Sequence, residues 1–260
     1  MIKKHIVPFS VVATLFILAK VFTYQMPLAQ TILPKEEKLN TTTTIVDSSK
    51  VKVVEKPQSL IAQLDFADET LPLGDKKVER KMKKILAAHT FRHMQTNVLH
   101  QKAAKWFPVI EPILAAYGIP NDFKYLALVE SGTASGVSAK GAAGIWQFMP
   151  GTARNYGLKV NGKVDERYNL RKSTIAACKY IKEMYKGLES WTLVAAAYNV
   201  GDDRLRKQIN NQNQDNYYKM KLNRETGGYV YKVISMKQIM EHPKRYGYKK
   251  QRVLLAYNGE

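Results

Sequence analysis

The chain has 260 residues, with 41 Lys plus Arg against 22 Asp plus Glu, a formal net charge of +19. Apolar residues make up 45% and charged residues 24%, which excludes a wholly disordered chain, a collagen-like chain and a multi-pass membrane protein. Cys178 is the one cysteine, so neither an intramolecular disulfide nor a cysteine-cluster metal site can form. The excess of positive charge favours an anionic partner: nucleic acid, a lipid surface or an acidic polymer.

Lys3 and Lys4 precede an uncharged run from Ile6 to Ala19. A basic start followed by an apolar stretch of this length reads as a targeting segment, short for a spanning helix. Residues 1–33 are therefore expected to be a signal peptide or an N-terminal signal anchor, and the chain to be exported to the cell envelope. The best cleavage position, after Ala29, has Pro27 where a small residue is wanted. Residues 34–75 are charged, threonine-rich and without helical period, and are expected to be a flexible linker.

Helical periodicity begins after Asp75, a plausible N-cap. Val78, Met82, Ile85 and Leu86 recur at three- and four-residue spacing,. A second periodic stretch holds Trp106, Phe107, Ile110, Ile113 and Leu114 and stops at Gly118. A third runs from Pro120 to Val129. Further helices are predicted over Leu170–Leu188, Ser190–Asn199, Asp203–Ile209 and Gly228–Glu241, with Ser190 and Thr226 where N-caps belong,. No alternating strand pattern of any length is visible. The expectation is an all-α domain over 76–248 and a basic tail over 249–260.

The stretch Tyr125 to Gly157 carries the chemistry. Glu130 follows an apolar helical run and precedes Ser131-Gly132, where the helix should stop,. A carboxylate there faces the negative end of the helix dipole, and partial burial disfavours its charge; both raise its pKa. A carboxylic acid kept protonated near neutral pH suits general-acid cleavage of a glycosidic bond. Residues 131–144 are almost all small, with Lys140 their only charge, which lets backbone pass close to a ligand. Gln147 supplies an amide, while Trp146 and Phe148 offer flat apolar faces or core side chains. Tyr198 and Asn199 end a helix of small residues, and Tyr229 begins the last helix, as a hydrogen-bonding lid or a core tyrosine.

Four motifs stand in order: Glu130-Ser131; Gly144-Ile145-Trp146-Gln147 with Met149-Pro150; Ala197-Tyr198-Asn199 with Gly201; and Glu225-Thr226 with Tyr229. Together they resemble the lytic transglycosylase (SLT) domain of glycoside hydrolase family 23, of the membrane-bound murein transglycosylase D type, over roughly residues 105–245. Gly227-Gly228 depart from the bulkier residues usual in the last motif. The resemblance implies a lysozyme-like helical fold of the goose-type lysozyme class. It also implies cleavage of the β-1,4 bond between N-acetylmuramic acid and N-acetylglucosamine in peptidoglycan, leaving 1,6-anhydromuramyl ends without consuming water.

By that resemblance Glu130 is the catalytic acid and then base. Ser131, Gln147, Met149, Tyr198, Asn199 and Tyr229 are substrate or acid partners, no cofactor or metal is needed, and glycan strands are the partner of a monomer. Two rivals remain open at this point: a hydrolytic muramidase of goose-lysozyme type, and a wall-binding protein without turnover. Asp165, Glu166, Asp202 and Asp203 fall in predicted loops and are expected to be solvated or capping. Nucleic-acid binding, suggested by the charge, conflicts with export. His89, His93 and His100 fall on one predicted helix at spacings of four and seven, an arrangement that could present a metal face but has no acidic partner nearby.

Overall fold

In the computed structural model, Asp75 caps the first helix as predicted, accepting from the amides of Lys77 and Val78. This helix, α1 (Lys76–His89), buries Val78, Met82 and Leu86 on one side, each worth roughly 1.5–3 kcal/mol. The described residues are 64–72, 74–94, 97–132 and 137–248. The expected leader (1–33), most of the expected linker (34–63) and the tail (249–260) lie outside them.

The part of the expected linker that is described is folded, which corrects the reading of 64–75 as tether. Asp65–Phe66 (β1) and Glu69–Thr70 (β2) form a small antiparallel hairpin. Leu64, Phe66 and Leu71 are each at most 2% exposed. The hairpin is held by polar bonds to distant elements: Ala67 N donates to Asp122 Oδ2 at 2.8 Å. Lys237 Nζ donates to both Asp65 Oδ1 and Asp122 Oδ2 at 2.8 Å.

The predicted single helix carrying three histidines is broken at Thr90. Its pieces are the end of α1, the short α2 (Phe91–Met94) and α3 (Val98–Ala116). Each histidine goes its own way: His89 Nδ1 meets Ser235 Oγ, His93 Nδ1 meets Thr90 Oγ1, and His100 packs edge-on to Tyr248. Pro108 and Pro112 lie inside α3 on its exposed side, where the carbonyls they leave unpaired can take water.

A 3-10 turn at Asn121–Phe123 leads into α4 (Lys124–Ser131). Then come α5 (Pro150–Asn155), α6 (Leu170–Leu188), α7 (Trp191–Val200), α8 (Asp202–Gln212) and α9 (Thr226–Glu241). The α6 bounds are those predicted, and Ser190 caps α7 as expected. Thr226 is instead the first helical residue of α9, its amide bound by Asn223 Oδ1.

The central element is α9. It touches α1, α4 and α7 and is buried on every side from Thr226 to Met240, as a helix without a polar face must be. It therefore presents Tyr229 to the end of α4 while holding α1 at its back. Among the described residues no helix is long and apolar enough to cross a membrane.

Candidate active site

Tyr125, Leu126, Ala127 and Leu128 are fully buried, so α4 is a rigid support whose last turn carries Glu130. Lys102 Nζ, from α3, donates to the Ser131 carbonyl at 2.6 Å, satisfying one of the acceptors a helix end leaves open. The Glu130 carboxyl is packed inside and accepts from Tyr229 Oη at 2.5 Å. Burial pushes its pKa up, the Tyr229 hydroxyl opposes, Glu225 adds to the rise and Lys232 opposes it; the outcome is about 7. Tyr229 itself lies well above the ordinary phenol range through burial and the nearby Glu130 charge. Its proton therefore stays on the phenol, and it serves as a fixed donor.

The loop before α5 builds the second wall. Ala143 pairs with Phe148 across a tight turn, Ala143 N donating to Phe148 O at 3.1 Å. Within it Gly144 takes φ +80°, and a Cβ there would lie 2.1 Å from the Arg167 carbonyl oxygen, so only glycine fits. Gln147 sits at φ +48°, a left-handed conformation uncommon for a residue with a side chain and found disproportionately at functional sites. Its Nε2 donates to Gly144 O at 2.8 Å, which holds the amide against the turn.

The clamp on this loop is Arg167, only 6% exposed. Its Nη1 donates to Gly141 O and Phe148 O at 2.8 and 2.9 Å. Its other nitrogens donate to Asp165 at 2.7 and 2.9 Å, a bidentate pair. Sequence reasoning missed Arg167; its one signal is the alternation Asp165-Glu166-Arg167 ahead of a helix, common in ordinary loops. Glu166 pairs with Lys172 and Asp202 with Arg206, so these carboxylates do not meet Glu130.

The third wall is the end of α7. Tyr198 Oη donates to Trp146 O at 2.8 Å. Burial first, then the charge of Glu130, hold its phenol far above the usual range. Asn199 Nδ2 donates to Glu225 Oε1 at 3.3 Å, joining the third and fourth motifs. Met149 is 43% exposed at the mouth of α5.

Glu130, Tyr198 and Tyr229 are thus within electrostatic reach of one another, Gln147 is fixed in the turn next to Trp146, and Asn199 reaches the fourth motif. Two readings the sequence leaves open resolve toward structure. Ser131 is 5% exposed and its hydroxyl donates to the Ala127 carbonyl at 2.6 Å; it closes the helix instead of presenting a free hydroxyl to a ligand. Trp146 is fully buried, with Nε1 donating to Thr174 Oγ1 at 3.0 Å, and Phe148 is 3% exposed, so both are core and not platforms. Among the described residues, no group of three or more His, Cys, Asp or Glu is placed to hold a metal ion.

Residues 109–221 match the Transglycosylase SLT domain. Over that stretch the chain is similar to this family. The matched region holds Glu130, Gln147, Tyr198 and Asn199, and the helical architecture is the lysozyme-like one of that domain. The chain is 36% identical over 135 residues to "Membrane-bound lytic murein transglycosylase D" of Escherichia coli (strain K12). The same figures hold for the protein of that name from Escherichia coli O6:H1. Those 135 residues are 50% of this chain and 30% of each relative. The SLT match ends before α9, so Tyr229, the partner of Glu130, comes from outside it.

Proposed function

We propose that the chain is a peptidoglycan lytic transglycosylase, exported to the cell envelope, acting on glycan strands as a monomer. The observation that carries this reading is the Glu130–Tyr229 pair at the closed end of α4, with the acid at a pKa of about 7. An acid poised near the working pH both gives and takes a proton readily.

In the first step Glu130 protonates the oxygen between N-acetylmuramic acid and N-acetylglucosamine. The C1–O bond breaks, and the carbonyl oxygen of the substrate's own N-acetyl group bonds to C1, in place of a protein nucleophile. In the second step the Glu130 carboxylate takes the proton from the muramyl 6-hydroxyl. O6 bonds to C1, the N-acetyl oxygen leaves, and Glu130 ends protonated as it began. This is an exception to the two-carboxylate scheme of most glycosidases. The chain's own residues fit the two halves. Packing favours the neutral acid before the first step, and the Tyr229 hydroxyl favours the carboxylate between the steps. Tyr198, within electrostatic reach of the acid, and with it Gln147 and Asn199 are the groups proposed to orient the sugars.

The test is digestion of purified sacculi by the full chain, beside Glu130→Gln, with products resolved by mass. Anhydromuramyl ends from the wild type alone are expected. Reducing ends alone would establish a hydrolytic muramidase instead, and no product from either protein would favour a wall-binding role.

A further inference from the structure

The outward side of α1 is used by nothing described so far. Helical residues advance about 100° each. Lys76, Lys77, Arg80, Lys83 and Lys84 therefore fall within an arc of about 120°, all of them exposed. The buried Val78, Met82 and Leu86 are centred on the opposite side. Glu79 is the helix's one acid, and it approaches Lys83 at 4.0 Å; the other four cations have no carboxylate partner among the described residues. The helix cannot roll, because its inner side is fixed on α9 through His89–Ser235 at 2.8 Å and Lys81 lying over the Tyr231 ring.

We infer that this face of α1 rests on an anionic phospholipid surface. A stripe of cations, four of them without a carboxylate partner among the described residues, fits a plane of headgroup phosphates, and clusters of four to eight Lys or Arg on a helix suit such binding. The face carries no aromatic side chain, so it lacks the flat apolar surface a glycan strand would want. Around α9, Tyr229 points about 120° away from the Gly228–Tyr231–Ser235 side that meets α1. A bilayer under α1 therefore leaves the Glu130 side free to face the wall. The inference does not depend on the reaction at Glu130.

The experiment places the full chain in vesicles of phosphatidylcholine alone or of phosphatidylcholine with phosphatidylglycerol. It follows amine labelling of Lys76, Lys77, Lys83 and Lys84 against Lys179 and Lys186 on α6, with mass detection. Slowing of the α1 lysines by about fivefold or more is expected in anionic vesicles only, the size one ammonium's attraction to such a surface supports. It should be reversed in 1 M salt, where screening acts within about 3 Å. The variant with all five α1 cations changed to Gln should leave the helix intact by circular dichroism and lose the salt-sensitive part of vesicle binding. Changing Arg171, Lys179 and Lys186 to Gln should not. Equal labelling in both vesicle types, equal slowing on α6, or slowing by added sacculi but not by vesicles would each overturn the inference, the last assigning the face to the wall.

Discussion

Glu130 and Asp165 are two carboxylates in one domain with opposite chemistry. Asp165 faces the Arg167 guanidinium, whose bidentate bonds hold its carboxyl below the usual range even as burial pushes the other way. Glu130 faces a neutral phenol, which favours its charged form too weakly to outweigh burial, and its pKa rises to about 7. One arrangement fixes a loop with a permanent charge; the other keeps a proton available. The difference lies in the partner. A cation converts a carboxylate into a structural fastener, and a hydroxyl donor leaves it a titratable acid.

Four substitutions break or sharpen that contrast. Glu130→Gln removes the proton donor and should lower anhydromuramyl production by about 10²–10⁴-fold, the usual worth of a positioned acid, measured by product mass over time. Arg167→Met removes the guanidinium donors of Asp165 and of the Gly141 and Phe148 carbonyls, leaving Asp165 only the backbone amide of residue 167 and Phe148 only the Ala143 amide. Breaking a buried pair in this way costs about 3–5 kcal/mol, somewhat less here because Asp165 is 27% exposed as a side chain; denaturant midpoints would read it. Glu130→Gln should also change how stability depends on pH. The folded acid holds its proton up to about 7, against 4.5 for the ordinary carboxyl. Between those values the native state binds more protons than the unfolded one, so wild-type stability falls as pH rises through the window. The variant lacks this loss and should be the more stable protein at pH 8 by about 2–3 kcal/mol, with little difference at pH 4. Equal melting curves at both pH values would sink the assignment.

Tyr229→Phe deletes the donor that opposes burial. The Glu130 pKa should rise further, moving the alkaline limb of the rate profile up by about one pH unit; a profile that keeps its limb would mean the hydroxyl does nothing to the acid. Glu69→Ala is the smallest change. The Glu69 carboxylate accepts from Ser190 Oγ, Trp191 N and Thr192 N at 2.6–2.9 Å, capping α7 from another part of the chain. Its loss should cost about 1 kcal/mol, seen in thermal unfolding.

The helices were legible because their apolar residues repeat at helical spacing and their caps are local: Asp75 and Ser190 announce α1 and α7. Glu130 alone reads as an ordinary helix-end acid; it stood out through the small residues after it and the motifs that follow in order. What stayed hidden is held by distant partners. The hairpin's strands have two residues each, too few to show alternation, and Ala67 at φ +54° takes a turn conformation without the glycine that would signal it,. Its stability comes from Asp122 and Lys237, far along the chain. The three histidines shared a helical spacing that the break at Thr90 cancels. Lys237 sits in a helix buried all round, where no periodicity separates a core lysine from a surface one.

The placement of α9 governs when the surroundings of Glu130 are completed during folding. Its contacts with α1 join residues as far apart as His89 and Ser235, 146 positions in sequence, and such pairings close slowly because a long loop must be ordered first. Until α9 is seated, Tyr229 is absent from the end of α4 and the side of Glu130 that α9 covers stays open to water. In a nascent chain, or one cut before residue 226, Glu130 therefore lacks its Tyr229 donor. Seating α9 thus completes the surroundings of an acid that lies about a hundred residues earlier in the chain.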